Sequence, residues 1–137
     1  YISNSDPDSL LQDCAASLAA GNNLIIFPEG TRTTPGEALS FQRGAANIAL
    51  RSQCNYLALS IQCSPTTLTK RESWYQVPAS KPTLAIHFLK EIDIVAYHNQ
   101  PSPSLAARQL TRDLQNYYRQ VVNHYECTET RSEAFNH

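Results

Sequence analysis

The chain has no Met, only four Gly, and no Lys or Arg before Arg32. Its longest wholly apolar run, Leu24 to Pro28, is far shorter than the roughly 18 residues that a membrane-spanning helix needs, so the sequence predicts no membrane span. The four cysteines form no Cys-x-x-Cys pair and no His lies at zinc-finger spacing. Neither a metal site nor a disulfide framework is therefore indicated.

Charge is also scarce, with 17% charged residues, a net charge of −1 and no cluster of cations. A protein that binds nucleic acid needs clustered Lys and Arg on one face, so nucleic acid is not an expected partner. The 137 residues, 42% of them hydrophobic, are enough for one domain with a core. We predict one domain over 1–127 and a polar tail over 128–137. Because the chain has no Met, we expect it to be a piece of a longer protein.

The pattern of apolar residues predicts alternating helices and strands. Asp6 caps a helix over about 7–20 that ends at Gly21, Ser40 caps a helix over 41–50, and Ser102 begins a helix over about 104–125. Short runs rich in apolar residues predict strands over 23–27, 56–62 and 83–89. This order indicates an α/β fold with a mixed sheet flanked by helices.

The segment with the most chemical information follows the first of these runs and reads Phe27-Pro28-Glu29-Gly30-Thr31-Arg32. A loop that follows a strand is the usual place for binding groups in α/β folds. The segment resembles the third conserved block of the glycerol-3-phosphate and lysophosphatidate acyltransferase family. The likeness continues through Phe41-Gln42-Arg43-Gly44-Ala45 and Leu57-Ala58-Leu59-Ser60-Ile61, and so covers most of the chain, as the C-terminal portion of an acyltransferase-like domain that is incomplete at its N-terminus.

The resemblance implies transfer of a fatty acyl group from a thioester, on acyl carrier protein or coenzyme A, to the hydroxyl of lysophosphatidate, glycerol 3-phosphate or a related acceptor. Arg32 offers a planar cation that can bind two phosphate oxygens, and the amides of Gly30, Thr31 and Arg32 can face the same anion. Glu29 is expected to orient the acceptor hydroxyl or brace the loop, with Phe27 and Pro28 as support. The reaction requires no metal and no organic cofactor beyond the donor.

The family's first block, His-x-x-x-x-Asp, supplies the general base, and this chain does not contain it. The residues five positions after its histidines are not Asp: Ile92 follows His87, Pro103 follows His98, Glu129 follows His124, and His137 is last. A general base contributes about 10²- to 10⁴-fold in rate, so we expect this chain to be inactive alone. The second block's Arg is not found near residues 1–6, and Ala58 replaces the fourth block's proline.

These departures leave two other readings open. One is an acyltransferase for another alcohol in a specialised bacterial lipid or polyene pathway. The other is a non-catalytic module that binds phosphate head groups or an acyl carrier. His87, which alternates with apolar residues, is expected to be a packed or hydrogen-bonded structural histidine.

The resemblance also implies work at the cytoplasmic face of a membrane. Lys70, Arg71, Trp74 and Tyr75 could meet the bilayer surface or acyl carrier protein, or form an ordinary solvated loop. The apolar stripe of the last helix is expected to face the core rather than a membrane, and comprises Leu110, Leu114, Tyr117, Val121 and Tyr125. The helix also carries Tyr118, and its tyrosines are expected to keep their polar tips at a boundary. A chain cut inside its domain leaves an apolar face without a neighbour, so we predict either a homodimer or an exposed apolar patch.

Overall fold

The computed structural model describes residues 6–30, 37–65, 67, 69, 72–73 and 75–134, with the side chains of the last helix described up to residue 124. Three helices and two strands follow in the order α1 (Pro7–Ala19), α2 (Gly44–Ser52), β1 (Tyr56–Ser64), β2 (Thr83–Ile92) and α3 (Pro103–Ala134). A 3₁₀ turn, Val95–Tyr97, joins β2 to α3. The predicted combination of helices and sheet in an α/β fold is confirmed.

The helix boundaries have local causes that are visible in the sequence. At α1 the carboxylate of Asp6 accepts a hydrogen bond from the Ser9 amide at 3.0 Å, and Pro7 occupies the first turn, where its missing N–H costs nothing. At α3 the Ser102 hydroxyl accepts from the Leu105 amide at 3.3 Å. Both predicted caps are thus confirmed, although α3 runs on to Ala134, well past the predicted end near 125.

The second helix begins later than predicted. Its N-cap is Arg43, which makes no side-chain capping bond, whereas the sequence pointed to Ser40. The Phe41 and Gln42 amides are bonded to the Gln115 side chain and the Pro28 carbonyl, so the Gln42 amide, which a Ser40 cap would bind, is already occupied. The helix therefore starts only at Gly44 and buries Ala45, Ala46, Ile48 and Ala49.

The described sheet is a two-stranded antiparallel pair in which Tyr56 is opposite Ile92 and Ser64 is opposite Thr83. The register slips by one residue between Ala58, which pairs with Lys90, and Leu59, which pairs with Phe88. The core lies where α2 and α3 pack together with Phe41, which precedes α2, and Ile94, which follows β2. Its buried members are Phe41, Ala46, Ala49, Ile94, Ala107, Leu110 and Leu114.

The strand predicted over 23–27 is wrong. Residues 22–27 are assigned no regular structure, and Ile25 and Phe27 are 84% and 67% exposed rather than buried on both faces. A strand requires a neighbour that accepts its backbone hydrogen bonds, and among the described residues β1 and β2 pair only with each other. The apolar composition was read correctly, but the expected pairing is not formed.

One face of the sheet carries large apolar side chains that remain exposed. Leu59 is opposite Phe88 and Ile61 is opposite Ile86, and residues in such pairs lie on the same face. The exposed apolar face comprises Leu57, Leu59, Ile61, Leu84, Ile86 and Phe88. The predicted exposed apolar patch is therefore present. None of the helices within the described ranges combines the length and apolarity needed to cross a bilayer.

Candidate functional site

The acyltransferase-like segment folds as a tight turn at residues Phe27 to Gly30. The Gly30 amide donates to the Phe27 carbonyl at 3.1 Å, which closes a four-residue turn with Pro28 in its second position. Proline favours that position because its ring fixes φ near the value that the turn requires. Pro28 and Glu29 are half-buried, whereas Phe27 and Gly30 are exposed. We call these four residues the motif turn.

Gly30 lies where the backbone conformation favours glycine, and it is close to the Gln42 side chain. Its φ is +69°, in the left-handed region that residues with a side chain rarely adopt. A Cβ added there would also lie 3.4 Å from Cγ of Gln42. Glycine is therefore favoured by its φ, and an alanine Cβ would make an ordinary van der Waals contact with the Gln42 side chain.

That segment fastens the motif turn from one side. The Gln42 amide donates to the Pro28 carbonyl at 2.7 Å, a short bond for two backbone groups. The neighbouring Phe41 side chain is buried and belongs to the core. The turn is thereby tied to the packed interior through one peptide unit, although residues 22–27 before it are in no sheet.

Glu29 brings a carboxylate into a partly dry environment. Burial raises the pKa of this carboxyl above its ordinary value, because desolvation disfavours the charged form. No other residue in the described part of the chain donates a hydrogen bond to it or pairs with it.

Tyr118 of α3 belongs to the same neighbourhood, which the sequence did not indicate. Burial is the main cause that raises the pKa of its hydroxyl; the hydrogen bond with the Leu59 backbone opposes the rise, and the charges of Tyr117 and Glu29 add to it. The charge of Glu29 is the smallest of these causes, and the direct contacts of Tyr118 are with Leu59 and Phe41. In the sequence Tyr118 is only one of the tyrosines of the last helix, and 89 positions separate it from Glu29.

The remaining residues that the sequence analysis named are partly outside the described residues and partly placed by the structure. Thr31 and Arg32, the predicted phosphate ligands, lie outside the described residues, as do Lys70, Arg71 and Trp74. Tyr75 is exposed. His87 Nε2 is 3.0 Å from Oε1 of Gln62 on the opposite strand, which confirms the hydrogen-bonded structural histidine. Ala58, which replaces the expected proline, is buried beside the register slip in β1.

Residues 3–62 match the family model described as Acyltransferase. The matched range contains α1, the motif turn, α2 and most of β1, whereas β2 and α3 lie beyond it. The match covers less than half of the chain, and it supports a general acyl-transfer function. The match confirms the resemblance and is consistent with the glycerol-3-phosphate and lysophosphatidate type. No curated protein and no solved structure matches the chain.

Proposed function

We propose that this chain forms the acceptor-binding part of an acyltransferase that moves a fatty acyl group from a thioester to the hydroxyl of lysophosphatidate or a related glycerophospholipid. The observation that carries the proposal is the motif turn. It lies inside the family match, it is fastened to the core through Gln42, and its half-buried carboxylate immediately precedes the predicted phosphate ligands in the sequence.

In this proposal the acceptor's phosphate and its hydroxyl are bound by different groups. The guanidinium of Arg32 and the amides of Thr31 and Arg32 bind the phosphate, since a planar cation and adjacent N–H groups suit its oxygens. The Gly30 amide does not take part, because it already donates to the Phe27 carbonyl. Glu29 accepts a hydrogen bond from the acceptor hydroxyl and fixes its direction. The general base that removes the hydroxyl proton is not among the four histidines of this chain, because none is followed five positions later by Asp.

The donor and the location follow from the same proposal. The acyl group arrives as a thioester of acyl carrier protein or coenzyme A, and the acceptor is held at the cytoplasmic surface of a membrane. No metal or bound organic cofactor takes part in the steps assigned to these residues. An alternative acceptor, another alcohol, is favoured by one observation: Ala58 is buried in β1 where the family's fourth block has proline.

A binding module without catalysis is the second candidate, and the lack of a His-x-x-x-x-Asp motif in the chain favours it. The two candidates differ in chemistry and agree on the phosphate site. A binding measurement therefore tests what they share, and a transfer assay separates them.

The experiment combines both measurements. Glycerol 3-phosphate and lysophosphatidate are titrated into the chain and into Arg32→Ala, and transfer of labelled acyl groups from both thioesters is assayed in parallel. We expect saturable binding that Arg32→Ala weakens about tenfold or more, as for loss of a charge-assisted hydrogen bond, and no transfer by this chain alone. Equal binding by both proteins would overturn the phosphate site. Transfer by the chain itself would show that the base has been misplaced.

A further inference from the structure

One face of α3 contacts the segment that holds the motif turn. Gln115, Tyr118 and Arg119 are spaced i, i+3 and i+4, so their side chains project from the same side of the helix. Oε1 of Gln115 accepts from the Phe41 amide at 2.9 Å, and Nη2 of Arg119 donates to the Leu39 carbonyl at 3.2 Å. Two hydrogen bonds thus fix residues 39–41 on the helix.

Tyr118 fixes the same helix face against the sheet. Its hydroxyl donates to the Leu59 carbonyl at 2.8 Å and accepts from the Leu59 amide at 3.2 Å. Its ring packs edge-on against Phe41, with the ring centroids 5.4 Å apart. One side chain therefore links α3, β1 and the segment before α2, so the three cannot shift independently.

The contacts continue from this segment to the motif turn. The Phe41 amide is bound by Gln115, and the next amide in the chain, that of Gln42, donates to Pro28. The Gln42 side chain also lies against Gly30. A displacement of Phe41 would therefore be passed on to the turn through a single peptide unit.

We propose that Gln115 and Tyr118 are positioning residues for the acceptor site, which they set through Phe41 and Gln42 without touching the acceptor. The role rests on the proposed function of the motif turn. Both residues lie outside the matched range 3–62. The geometry of the acyltransferase segment thus depends on a helix that the family match does not include.

The test uses variants that separate the hydrogen bond from the bulk of the side chain. Gln115→Glu keeps an acceptor oxygen at the same length, Gln115→Leu removes it, and Tyr118→Phe removes only the hydroxyl. Gln120→Leu makes the same chemical change on the exposed side of α3 and serves as the matched control. Circular dichroism establishes that each variant is folded.

Two readouts are recorded by ¹H–¹⁵N NMR: amide hydrogen exchange at Gly30 and Gln42 in the free chain, and the Kd for glycerol 3-phosphate. We expect Gln115→Leu to speed exchange at both amides about tenfold, the equivalent of one lost hydrogen bond, and to weaken binding by a similar factor. Tyr118→Phe is expected to shift both readouts in the same direction. Gln115→Glu and Gln120→Leu should leave both within about twofold.

The exchange measurement decides the proposal without any ligand. Unchanged exchange at Gly30 and Gln42 in Gln115→Leu, or failure of Gln115→Glu to preserve it, would overturn the positioning role. If exchange responds but the parent chain does not bind glycerol 3-phosphate, the positioning of the turn stands and the proposed phosphate site fails. If Arg32→Ala weakens binding and the Gln115 and Tyr118 variants do not, the proposed phosphate site stands and the positioning role of Gln115 and Tyr118 fails.

Discussion

Glu29 is held partly out of water by the turn that presents it. Because burial raises its pKa in the folded chain, the folded state keeps a proton in the pH range between the unfolded and folded pKa values, where the unfolded state has lost it. The free energy of unfolding therefore falls as pH rises through that range. Above it, the charged carboxylate makes a constant unfavourable contribution to stability.

Because the charged Glu29 carboxylate lowers the stability of the folded state, we make a prediction for Glu29→Gln. The neutral amide avoids the cost of burying a charge, so the variant should unfold at a higher temperature than the parent at about pH 7. The two midpoints should converge at about pH 3.5, where both side chains are neutral. Thermal unfolding followed by circular dichroism across this range provides the check. A difference that stays constant with pH would show that ionisation of Glu29 is not its cause.

Gly30 permits a prediction about backbone conformation and contact together. Gly30→Ala should lower the free energy of unfolding by roughly 1 kcal/mol, because the left-handed conformation costs about that much for a residue with a Cβ. Gly21→Ala is the matched control, since Gly21 has φ +84° but no atom within 4 Å of an added Cβ. Both variants should be destabilised in chemical denaturation.

Only Gly30→Ala should also disturb Gln42, because only its new methyl group contacts that side chain. NMR shifts of the Gln42 amide should therefore move in Gly30→Ala and stay in place in Gly21→Ala. Equal shifts in the two variants would contradict the close contact.

At the scale of elements, α1 could be predicted because its signals are local. Asp6 and Pro7 lie next to the helix they begin, and Gly21 follows its end with positive φ. β1 and β2 were also found, since each pairs with the other. Residues 24–27 have the same apolar character, but no other segment in the described ranges is paired with them. Composition alone does not reveal whether a partner strand is present.

The candidate site shows the same division. Phe27, Pro28, Glu29 and Gly30 are adjacent in sequence, so a short motif was enough to find them. Gln115 acts on Phe41 from 74 positions away, and no periodicity in the sequence indicates that pairing. The late start of α2 has the same origin, because long-range bonds occupy the amides that local signals assigned to the helix. Groups that act through tertiary contacts could therefore not be identified from the sequence alone.

At the scale of the whole molecule, the described sheet has an edge that is covered by a side chain and a face that is exposed to solvent. Both backbone groups of Leu59 point to the edge of β1 away from β2, and the Tyr118 hydroxyl binds both. A further strand could not pair there without displacing this side chain. The exposed apolar face has no comparable cover among the described residues, with Ile86 68% and Ile61 56% exposed. Association with another surface is therefore expected through the face rather than through this edge.

We predict that the chain self-associates through this face at high concentration. Burying its six exposed side chains yields about 1 kcal/mol each per copy, a total comparable to the roughly 4 to 15 kcal/mol that association costs. The balance favours a weak dimer that depends on concentration. Light scattering should show a mass that rises toward twice that of the chain between about 10 μM and about 1 mM, the range of such affinities.

Two lysine substitutions locate the contact. Ile86→Lys places a charge in the middle of the exposed apolar face and should keep the chain monomeric throughout that range, because burying an unpaired ammonium is costly. Val77→Lys adds the same charge at a residue that is 86% exposed and lies outside both strands, and it should leave association unchanged. If the parent stays monomeric, the predicted self-association through the face is wrong. If both variants suppress association equally, net charge governs the behaviour and the face is not the contact.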